Sequence, residues 1–510
     1  MKGKSIIGRA FKLLIFLLIG ALLFAALNLI LTPKWRGTWR STDTITGFYA
    51  LEPDSIDTLI LGSSQVITGV SPLQLYEEAG IRSYALGTER QPMLGSYYLL
   101  QDALRTQTKI KAVVLEVTEL FPQCNEPAYR KVFDFMYPSQ VKWEGIQEHI
   151  QWERKKDPET APKLLNYALP ILSYHDRWRE LNRDDFTYFL EDRKFLTRGF
   201  SIQPKQGAKD PGYEALSIKD VTSSATPDEE AMHYLNAIIT LCQKRNISLL
   251  LLKTTRSDWS LEQFNTVWEL SKELNVSYLD FNTPHRLSSI GFDYTRDILK
   301  GSETHLNLYG ASKETAYLAD FLTDNFPVAD MRGDKSSAEL DRDLITYHQL
   351  CDDARLTQIT DWHSYLSRLY RDRYSLLVSV FPDENLRPTM ENSPKSFQRS
   401  LSQLGLDPRI CEGGHYVAVL EGGKVLAEQW SEEPVEQSAT LKDGSYCSLS
   451  CDGFSAITAV CSIKLNQVEQ TQEKTPGIQI VVYNHETGQV VDTVALQFSN
   501  KKDAGIQIVR

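Results

Sequence analysis

A serine and a distant histidine are the residues of this sequence whose types and settings best suit nucleophilic chemistry. Ser64 ends the run Leu59–Ser64, in which an apolar segment is followed by Gly-Ser-Ser. His305 lies in the run Thr304–Asn307, directly before a predicted helix. Acyl transfer through a covalent intermediate needs a hydroxyl nucleophile and a base that takes its proton. The pair predicts a serine esterase or acyltransferase; the alternative is an ordinary strand–helix turn and a capping histidine.

Both residues fall within a stretch that alternates short apolar strands with helices. Predicted strands cover 56–61, 82–86, 112–117, 247–253 and 276–281, and predicted helices cover 72–79, 93–105, 228–244, 261–274 and 310–325. Strands that are apolar throughout are buried on both faces, which is typical of a parallel sheet between helices. We therefore expect an α/β fold. Ligands of such folds bind at the carboxyl ends of the strands, where Ser64 would lie.

Three short motifs resemble those of the SGNH/GDSL hydrolase superfamily. They are Gly62-Ser63-Ser64, Leu86-Gly87-Thr88 with Gln91-Pro92, and His305-Leu306-Asn307 with Gly310. Their order and strand context are most similar to membrane-anchored, extracytoplasmic members, such as the D-alanyl transfer protein DltD and the AlgX/AlgJ-type polysaccharide acetyltransferases. The similarity covers about 56–325, within an SGNH-like domain predicted over 41–327. It implies a flavodoxin-like parallel sheet.

The resemblance also implies roles for individual residues. Ser64 aligns with the serine of the family's Gly-Asp-Ser and is the expected nucleophile, with Ser63 as the fallback; His305 is the expected general base. A helix amino terminus places backbone N–H groups near the developing oxyanion, where one donor contributes about 3 kcal/mol. Gly87 lets a second loop approach closely and offer its own N–H. No metal or organic cofactor is expected.

The sequence departs from the family pattern where the orienting acid should be. That acid usually lies three residues before the histidine, a position that Ser302 occupies here. Glu303 is the nearest candidate and Asp297 the second, but neither has the usual spacing. Ala85 replaces an asparagine near the second glycine, and the run Glu116–Glu119 lacks the asparagine expected after the third strand. A Ser-His dyad, a triad assisted by Glu303 and an inactive scaffold all stay open.

The first forty residues predict an uncleaved membrane anchor. A basic stretch up to Lys12 precedes Leu13–Pro33, which carries no charge. A helix of that length is about 30 Å long and crosses the hydrocarbon of a bilayer. Trp35 and Trp39 would lie at the membrane interface, and a cleaved signal peptide is the alternative. We expect a cytoplasmic stub and transmembrane anchor over 1–40, a single pass through the cell membrane, and the bulk of the chain outside.

Two regions differ in composition from the predicted strands and helices of the α/β domain. An insertion in the α/β domain, about 120–227, is rich in aromatic and charged residues, as in Tyr174–Trp178. Such a composition suits a groove for sugar rings, and a helical cap is an equal alternative. A polar linker over 328–344, centred on Met331–Ser337, is followed by a C-terminal domain over 345–510.

The C-terminal domain is predicted to be mixed α/β with antiparallel strands. Strands are expected at 374–381 and 416–420, with a hairpin formed by 478–483 and 490–495. The segments Tyr374–Val380, Cys451–Phe454, Gly477–Tyr483 and Thr487–Thr493 resemble the ILEI-type (GG) domain. That resemblance implies carbohydrate binding; a structural or oligomerising module has equal weight.

The net charge and the cysteine positions of the chain limit which partners and which compartment are expected. The net charge of −11 argues against nucleic acid, whose phosphates are bound through clustered Lys and Arg. Of the seven cysteines, four lie in the last hundred residues, which allows one or two disulfides outside the cell. The resemblance implies a polysaccharide or teichoic-acid-like glycan and a membrane-bound O-acyltransferase as partners, and the N-terminal apolar run adds the membrane.

These observations together predict transfer or removal of O-acyl groups, chiefly O-acetyl, on a cell-envelope or secreted polysaccharide. The competing hypothesis is a non-catalytic protein that binds polysaccharide or acts as a scaffold in an envelope glycan synthesis or export system. A secreted lipase is a weaker third hypothesis, because the charged, aromatic insertion does not resemble an apolar lid.

Overall fold

The computed structural model of the protein describes residues 2–37, 39–121, 124–190, 193–207, 223–381, 387–453, 460–471, 477–498 and 505–510. The chain divides into two compact units, Met1–Tyr347 and His348–Arg510. Its described helices are α1 (Lys2–Leu31), α2 (Ser41–Tyr49), α3 (Ser64–Gly69), α4 (Pro72–Ala79), α5 (Met93–Ala103), α6 (Glu126–Phe133), α7 (Gln140–Lys156), α8 (Leu164–Ala168), α9 (Ile171–Tyr174), α10 (Arg183–Thr187), α11 (Glu229–Arg245), α12 (Leu261–Glu273), α13 (Pro284–Ser289), α14 (Tyr294–Asp297), α15 (Leu308–Asn325), α16 (Ala338–Leu356), α17 (Trp362–Leu369), α18 (Arg387–Glu391) and α19 (Lys395–Gln403).

The described strands alternate with these helices in the first unit and dominate the second. They are β1 (Thr58–Gly62), β2 (Ser83–Gly87), β3 (Ala112–Glu116), β4 (Ser248–Lys253), β5 (Ser277–Asp280), β6 (Tyr374–Phe381), β7 (His415–Glu421), β8 (Lys424–Ser431), β9 (Val435–Thr440), β10 (Tyr446–Asp452), β11 (Val460–Leu465), β12 (Val468–Glu469), β13 (Gly477–Asn484), β14 (Gln489–Phe498) and β15 (Ile506–Val509). Short 3₁₀ turns occur at Thr118–Leu120, His175–Arg179, Tyr188–Leu190, Lys335–Ser337 and Pro408–Glu412.

The first unit is built on one parallel sheet with the strand order β2-β1-β3-β4-β5. This is the flavodoxin-like order of doubly wound α/β folds. Gly62 pairs with Gly87 and Leu61 with Leu115, so the carboxyl ends of β1, β2 and β3 meet at one edge. The α/β class and the parallel sheet predicted from the sequence are confirmed.

Helices cover both faces of this sheet, which explains why its strands are apolar throughout. On one face, Ile60, Val114 and Leu250 pack into a core with residues of α3, α4 and α15. On the other face, Leu61 and Val113 join a larger core with α5, α7 and α11. Full burial of one such side chain contributes about 1.5–3 kcal/mol, so the sheet is a rigid base for the loops at its edge.

Helix α1 is long and apolar enough to cross a membrane. Its apolar part, Ala10–Leu31, has 22 residues and a mean hydropathy of 2.8, and its most apolar stretch is exposed, whereas Leu31 at its end is buried. Over its last turns it lies beside α9, α10 and the His175–Arg179 turn of the predicted insertion. The described part of that insertion contains the 17-residue helix α7 and the shorter helices α6 and α8 to α10; residues 122–123, 191–192 and 208–222 of it lie outside the described part of the chain.

The segment predicted as a linker, 328–344, packs against the α/β unit. The Met331 N–H donates to the Gly80 carbonyl at 3.1 Å. Tyr76 donates its hydroxyl proton to Asp341 at 2.6 Å. These contacts assign the segment to the first unit, which extends to Tyr347.

The second unit has two antiparallel sheets and a helical layer. A six-stranded sheet has the order β15-β14-β13-β6-β7-β8, and a four-stranded sheet the order β12-β11-β10-β9. Val378 and Ile480 face a core with α17 and α19, whereas Leu377 and Val481 face the smaller sheet. The predicted hairpin is present as β13 and β14. Phe454, part of one motif that resembles the ILEI-type domain, lies outside the described residues.

The seven cysteines, all among the described residues, form no disulfide in this structure. In the second unit, Cys451 and Cys461 lie directly opposite each other on β10 and β11, with their Sγ atoms 3.7 Å apart. The disulfides that the sequence allowed are therefore not formed here, although one pair of thiols is adjacent.

Candidate active site

A glycine turn sets the position of Ser64. β1 ends at Gly62, whose φ is +151°, and a Cβ there would lie 2.6 Å from the Cβ of Glu116. Ser63 then caps α3, its Oγ accepting from the Gln65 N–H at 3.4 Å. Ser64 is the first residue of α3 and is 7% exposed. The predicted nucleophile thus lies at the carboxyl end of β1, two residues after Gly62, a position that only glycine fits.

His305 is held by the turn that leads into α15. Its carbonyl accepts from the Leu299 N–H at 2.8 Å. Asn307 caps α15 by accepting from the Tyr309 N–H at 2.9 Å, and its own amide donates to the Ile298 carbonyl at 3.0 Å. The asparagine of the His-Leu-Asn motif therefore fixes the histidine loop from both sides.

The structure brings Ser64 and His305 into direct contact. Ser64 Oγ lies 2.8 Å from His305 Nε2. On the other side of the ring, Nδ1 lies 2.8 Å from Ser302 Oγ and 3.1 Å from Thr304 Oγ1. When Nδ1 carries the proton and donates it to one of these hydroxyls, Nε2 is free to accept the proton of Ser64. The geometry is that of a nucleophile and its general base.

Neither carboxylate considered for the acid contacts this ring. The hydrogen bonds that the described residues make to the His305 imidazole come from hydroxyl groups alone. Glu303 uses its backbone carbonyl, which accepts from Tyr294 Oη at 2.7 Å. Asp297 is buried and accepts from Lys313 Nζ at 2.6 Å, so it supports the α14–α15 turn. Ser302, three residues before the histidine, takes the place next to Nδ1.

The surroundings keep His305 neutral. Burial, together with the positive charges of Arg256 and Lys253, lowers the pKa of His305 from 6.5 to about 3. Asp258 acts in the opposite direction but is paired with Arg256. The imidazole is therefore unprotonated over the whole physiological pH range and can act as a proton acceptor. The imidazolium formed when it takes a proton is poorly stabilised.

Trp39 covers the histidine. Its ring stacks on the His305 imidazole with centroids 4.3 Å apart and planes 30° apart. The position of Trp39 after the apolar run predicts a place at the membrane interface and gives no sign of this tertiary contact. Trp35, placed there by the same argument, lies under the ammonium group of Lys131, 5.1 Å from its ring centroid.

A buried ion pair lies beneath the Ser63–Ser64 turn. Glu116, at the end of β3, accepts from Lys253 Nζ at 2.8 Å and from Ser63 Oγ at 3.1 Å. Both charged side chains are fully buried, and burial lowers the pKa of Lys253. Ser63 is thereby occupied with Glu116 and with the cap of α3, whereas Ser64 alone of the two serines contacts His305.

Gly87 lies against the same turn. A Cβ at Gly87 would be 3.0 Å from the Gly62 carbonyl oxygen and 3.2 Å from the Ser63 carbonyl oxygen. The Gly87 carbonyl accepts from Thr44 Oγ1 at 2.5 Å. The close approach expected of this glycine is present, and α2 fixes it from outside.

Gln65 joins two loops around the site, a role that no sequence signal indicated. Its Oε1 accepts from Thr254 Oγ1 at 3.0 Å, and its Nε2 donates to the Thr304 carbonyl at 2.9 Å. The loop after β4 and the histidine loop are thus tied to the first turn of α3.

No group of three or more His, Cys, Asp or Glu side chains in the described ranges is placed to hold a metal ion. No protein-family model matches the chain, and no curated protein matches its sequence.

Proposed function

We propose that this chain is an extracytoplasmic, serine-dependent enzyme that transfers O-acyl groups to, or removes them from, a cell-envelope or secreted polysaccharide. The observation that carries the proposal is the 2.8 Å contact between Ser64 Oγ and His305 Nε2 at the carboxyl edge of a flavodoxin-like sheet. The motifs that resemble SGNH hydrolases point to the same two residues. No metal or organic cofactor takes part in the proposed reaction.

The proposed reaction has two half-reactions. Ser64 Oγ attacks the acyl carbonyl while His305 Nε2 takes the hydroxyl proton, and the leaving alcohol then receives that proton. An acyl-serine remains. In the second half, a glycan hydroxyl or water gives its proton to His305 and attacks the ester, which restores Ser64. The amides of Ser64 and Gly87 are proposed to hold the oxyanion, since Gly87 lies directly against the turn.

The acceptor and the partners follow from resemblance and composition. The aromatic insertion and the second unit, parts of which resemble the ILEI-type domain, support a polysaccharide or teichoic-acid-like glycan as substrate. Acetyl is the proposed acyl group. A membrane-bound O-acyltransferase is the proposed donor-side partner, as in the membrane-anchored families that the motifs resemble.

Retention of α1 as a membrane anchor belongs to the same proposal. Asn28 Oδ1, within the apolar run, accepts from the Ile171 N–H at 2.9 Å. The Leu31 carbonyl accepts from Arg177 at 2.8 Å. Cleavage as a signal peptide would remove both contacts, so they favour an anchor that stays attached.

A non-catalytic glycan-binding scaffold is the second candidate. It is favoured by the absence of a carboxylate among the described neighbours of the His305 ring and by the low pKa of His305, about 3. In this alternative, Ser64 and His305 are a remnant, and the protein positions polysaccharide at its synthesis or export machinery.

The two candidates differ in one measurable respect. The full chain in detergent is incubated with p-nitrophenyl acetate and analysed by intact-mass spectrometry. We expect the mass of one added acetyl group in the wild type and none in Ser64→Ala, with Ser63→Ala as the matched control that still reacts. Absence of the adduct, with ester turnover no faster than buffer, favours the scaffold. A soluble fragment that begins at residue 41 would be unsuitable for this experiment, because it lacks Trp39, which stacks on His305.

A further inference from the structure

The segment 164–190 exposes an unusual number of large apolar side chains. They are Leu164, Leu165, Leu172, Trp178, Phe186 and Leu190, from 42% exposed for Leu164 to 86% for Leu190. Scattered apolar side chains are normal on a surface, but a concentration of this kind within one short segment marks an interaction site. The mechanism proposed above uses none of these residues.

The same segment is fastened to the outer end of α1. The Ile171 N–H donates to Asn28, and Arg177 donates to the Leu31 carbonyl and pairs with Asp185 at 2.7 Å. Asp185 lies 3.9 Å from Lys34 Nζ, and Lys34 also donates to the Thr32 carbonyl at 2.6 Å. Asn28 lies about one helical turn from the end of the apolar run. The segment is thus held at the level where hydrocarbon gives way to headgroups.

A cavity between α1 and the insertion lies at that level. Its volume is about 760 Å³, and its lining includes Phe24 and Leu29 of α1 with Phe135, Met136 and Leu169 of the insertion. One wall is therefore a stretch of helix that would face lipid tails, and Asp134, Lys142 and Arg193 line the same space, so a lipid acyl chain with its polar headgroup is the matching occupant.

We propose that the segment 164–190 is a second membrane-contacting element, which lies in the outer-leaflet interface beside α1 and contacts the acyl chains and headgroups of lipids. Trp178 stacks under the Arg179 guanidinium, 4.9 Å from its centroid, an arrangement suited to an interface where one end is apolar and the other wet. The segment carries four acidic residues and three arginines, a net charge of −1, so the contact is expected not to depend on anionic lipid.

This inference depends on the membrane placement of α1 and not on the chemistry at Ser64. The test uses the full chain in phosphatidylcholine vesicles doped with a phosphatidylcholine that carries a diazirine close to the glycerol on one acyl chain. After illumination, labelled peptides are mapped by mass spectrometry. We expect adducts within 10–31 and within 164–190, with no increase when phosphatidylglycerol is added.

A variant and its control sharpen the result. The double variant Leu172→Glu, Phe186→Glu changes exposed side chains only, so it should fold normally. Labelling of 164–190 should be lost in this variant, while labelling of 10–31 should persist. Leu426→Glu, an equally exposed leucine of the second unit, should change neither.

The outcomes separate the two claims. Adducts confined to 10–31 would overturn the inference and leave the anchor intact. Lack of adducts in both segments would overturn the membrane placement itself. A segment 164–190 that escapes lipid in pure vesicles but becomes crosslinked to another protein in native membranes would overturn the lipid assignment in favour of a protein partner.

Discussion

At the scale of single residues, the site is a Ser-His pair supported by hydroxyls. Ser302 Oγ, 2.8 Å from His305 Nδ1, can orient the imidazole but brings no charge to stabilise the imidazolium. In serine hydrolases that role belongs to a carboxylate, and its loss lowers the rate by about 10⁴ without removing the nucleophile. The pairing of Ser64 with His305 was predictable from motif order. The role of Ser302 was not, because the turn decides which neighbour meets Nδ1.

Restoring the acid should increase the rate. In Ser302→Asp, a carboxylate beside Nδ1 would raise the pKa of His305 and stabilise its protonated form, so kcat/KM for p-nitrophenyl acetate should rise about tenfold or more. Ser302→Asn supplies the matched shape without the charge. An Asp variant no faster than the Asn variant would contradict a rate limited by the missing acid.

Removal of Trp39 should change the pH profile. With the pKa of His305 near 3, the base is unprotonated throughout, and kcat/KM should stay level from about pH 8 down to about pH 5. Trp39→Ala admits water, which raises the pKa towards 6.5, so the variant's histidine becomes protonated and its rate should fall below about pH 6. Trp35→Ala, whose indole lies beside Lys131, should retain the level profile. Identical profiles in all three proteins would show that Trp39 does not shield the ring.

At the scale of elements, the strands of the first sheet were predictable because β1, β3 and β4 are mostly apolar runs buried between helices, and the edge strand β5 follows the same alternation with helices. The short helix α2 was not predicted. Few of its residues are apolar, and it is stabilised by tertiary contacts, such as the Tyr84 hydroxyl donating to the Thr44 carbonyl at 2.8 Å. The position of Trp39 over the site escaped prediction for the same reason, since it depends on how the segment before α2 folds back.

The ends of β3 and β4 depend on a buried pair of charges. Lys253→Met leaves the Glu116 carboxylate buried without its partner, and the free energy of unfolding should fall by about 3–5 kcal/mol. Lys253→Met combined with Glu116→Gln removes both charges and should recover most of that loss. Urea unfolding of the three proteins measures this. A double variant no more stable than the single one would show that the pair is not the source of the loss.

At the scale of the whole molecule, the chain has an α/β unit that carries the site and the apolar helix α1, and a β-rich unit that carries neither. The sequence indicated this division through the polar linker predicted over 328–344 and the antiparallel strands and hairpin predicted after it. It did not reveal how the insertion is fastened to the end of α1, because the hydrogen bonds that do so join residues far apart in the sequence, such as Asn28 and Ile171.

The oxidation state of the thiols in the second unit should indicate on which side of the membrane that unit lies. Directly opposite residues on antiparallel strands have Cα atoms within the range that a disulfide bridges, so Cys451 and Cys461 should be oxidised in a chain taken from an oxidising compartment. Cys447, whose Sγ contacts the Ala439 carbonyl, is the internal control and should stay reduced. Peptide mapping without reductant distinguishes an oxidised Cys451–Cys461 pair from the reduced Cys447. A fully reduced pair in protein isolated from its native membrane would argue against an extracytoplasmic location.

The contact between Trp39 and His305 has a consequence for how substrate is found. Only residues 32–38 separate the end of α1 from the tryptophan, and an extended chain spans at most about 3.6 Å per residue. In the proposed placement, the reacting atoms are therefore tethered within about 30 Å of the bilayer. An acyl donor carried by a membrane component would reach the reacting atoms by lateral diffusion in the two dimensions of the bilayer. A soluble polymer would have to reach them by diffusion in three dimensions. The anchor would thus give membrane-borne acyl donors a kinetic advantage over soluble ones.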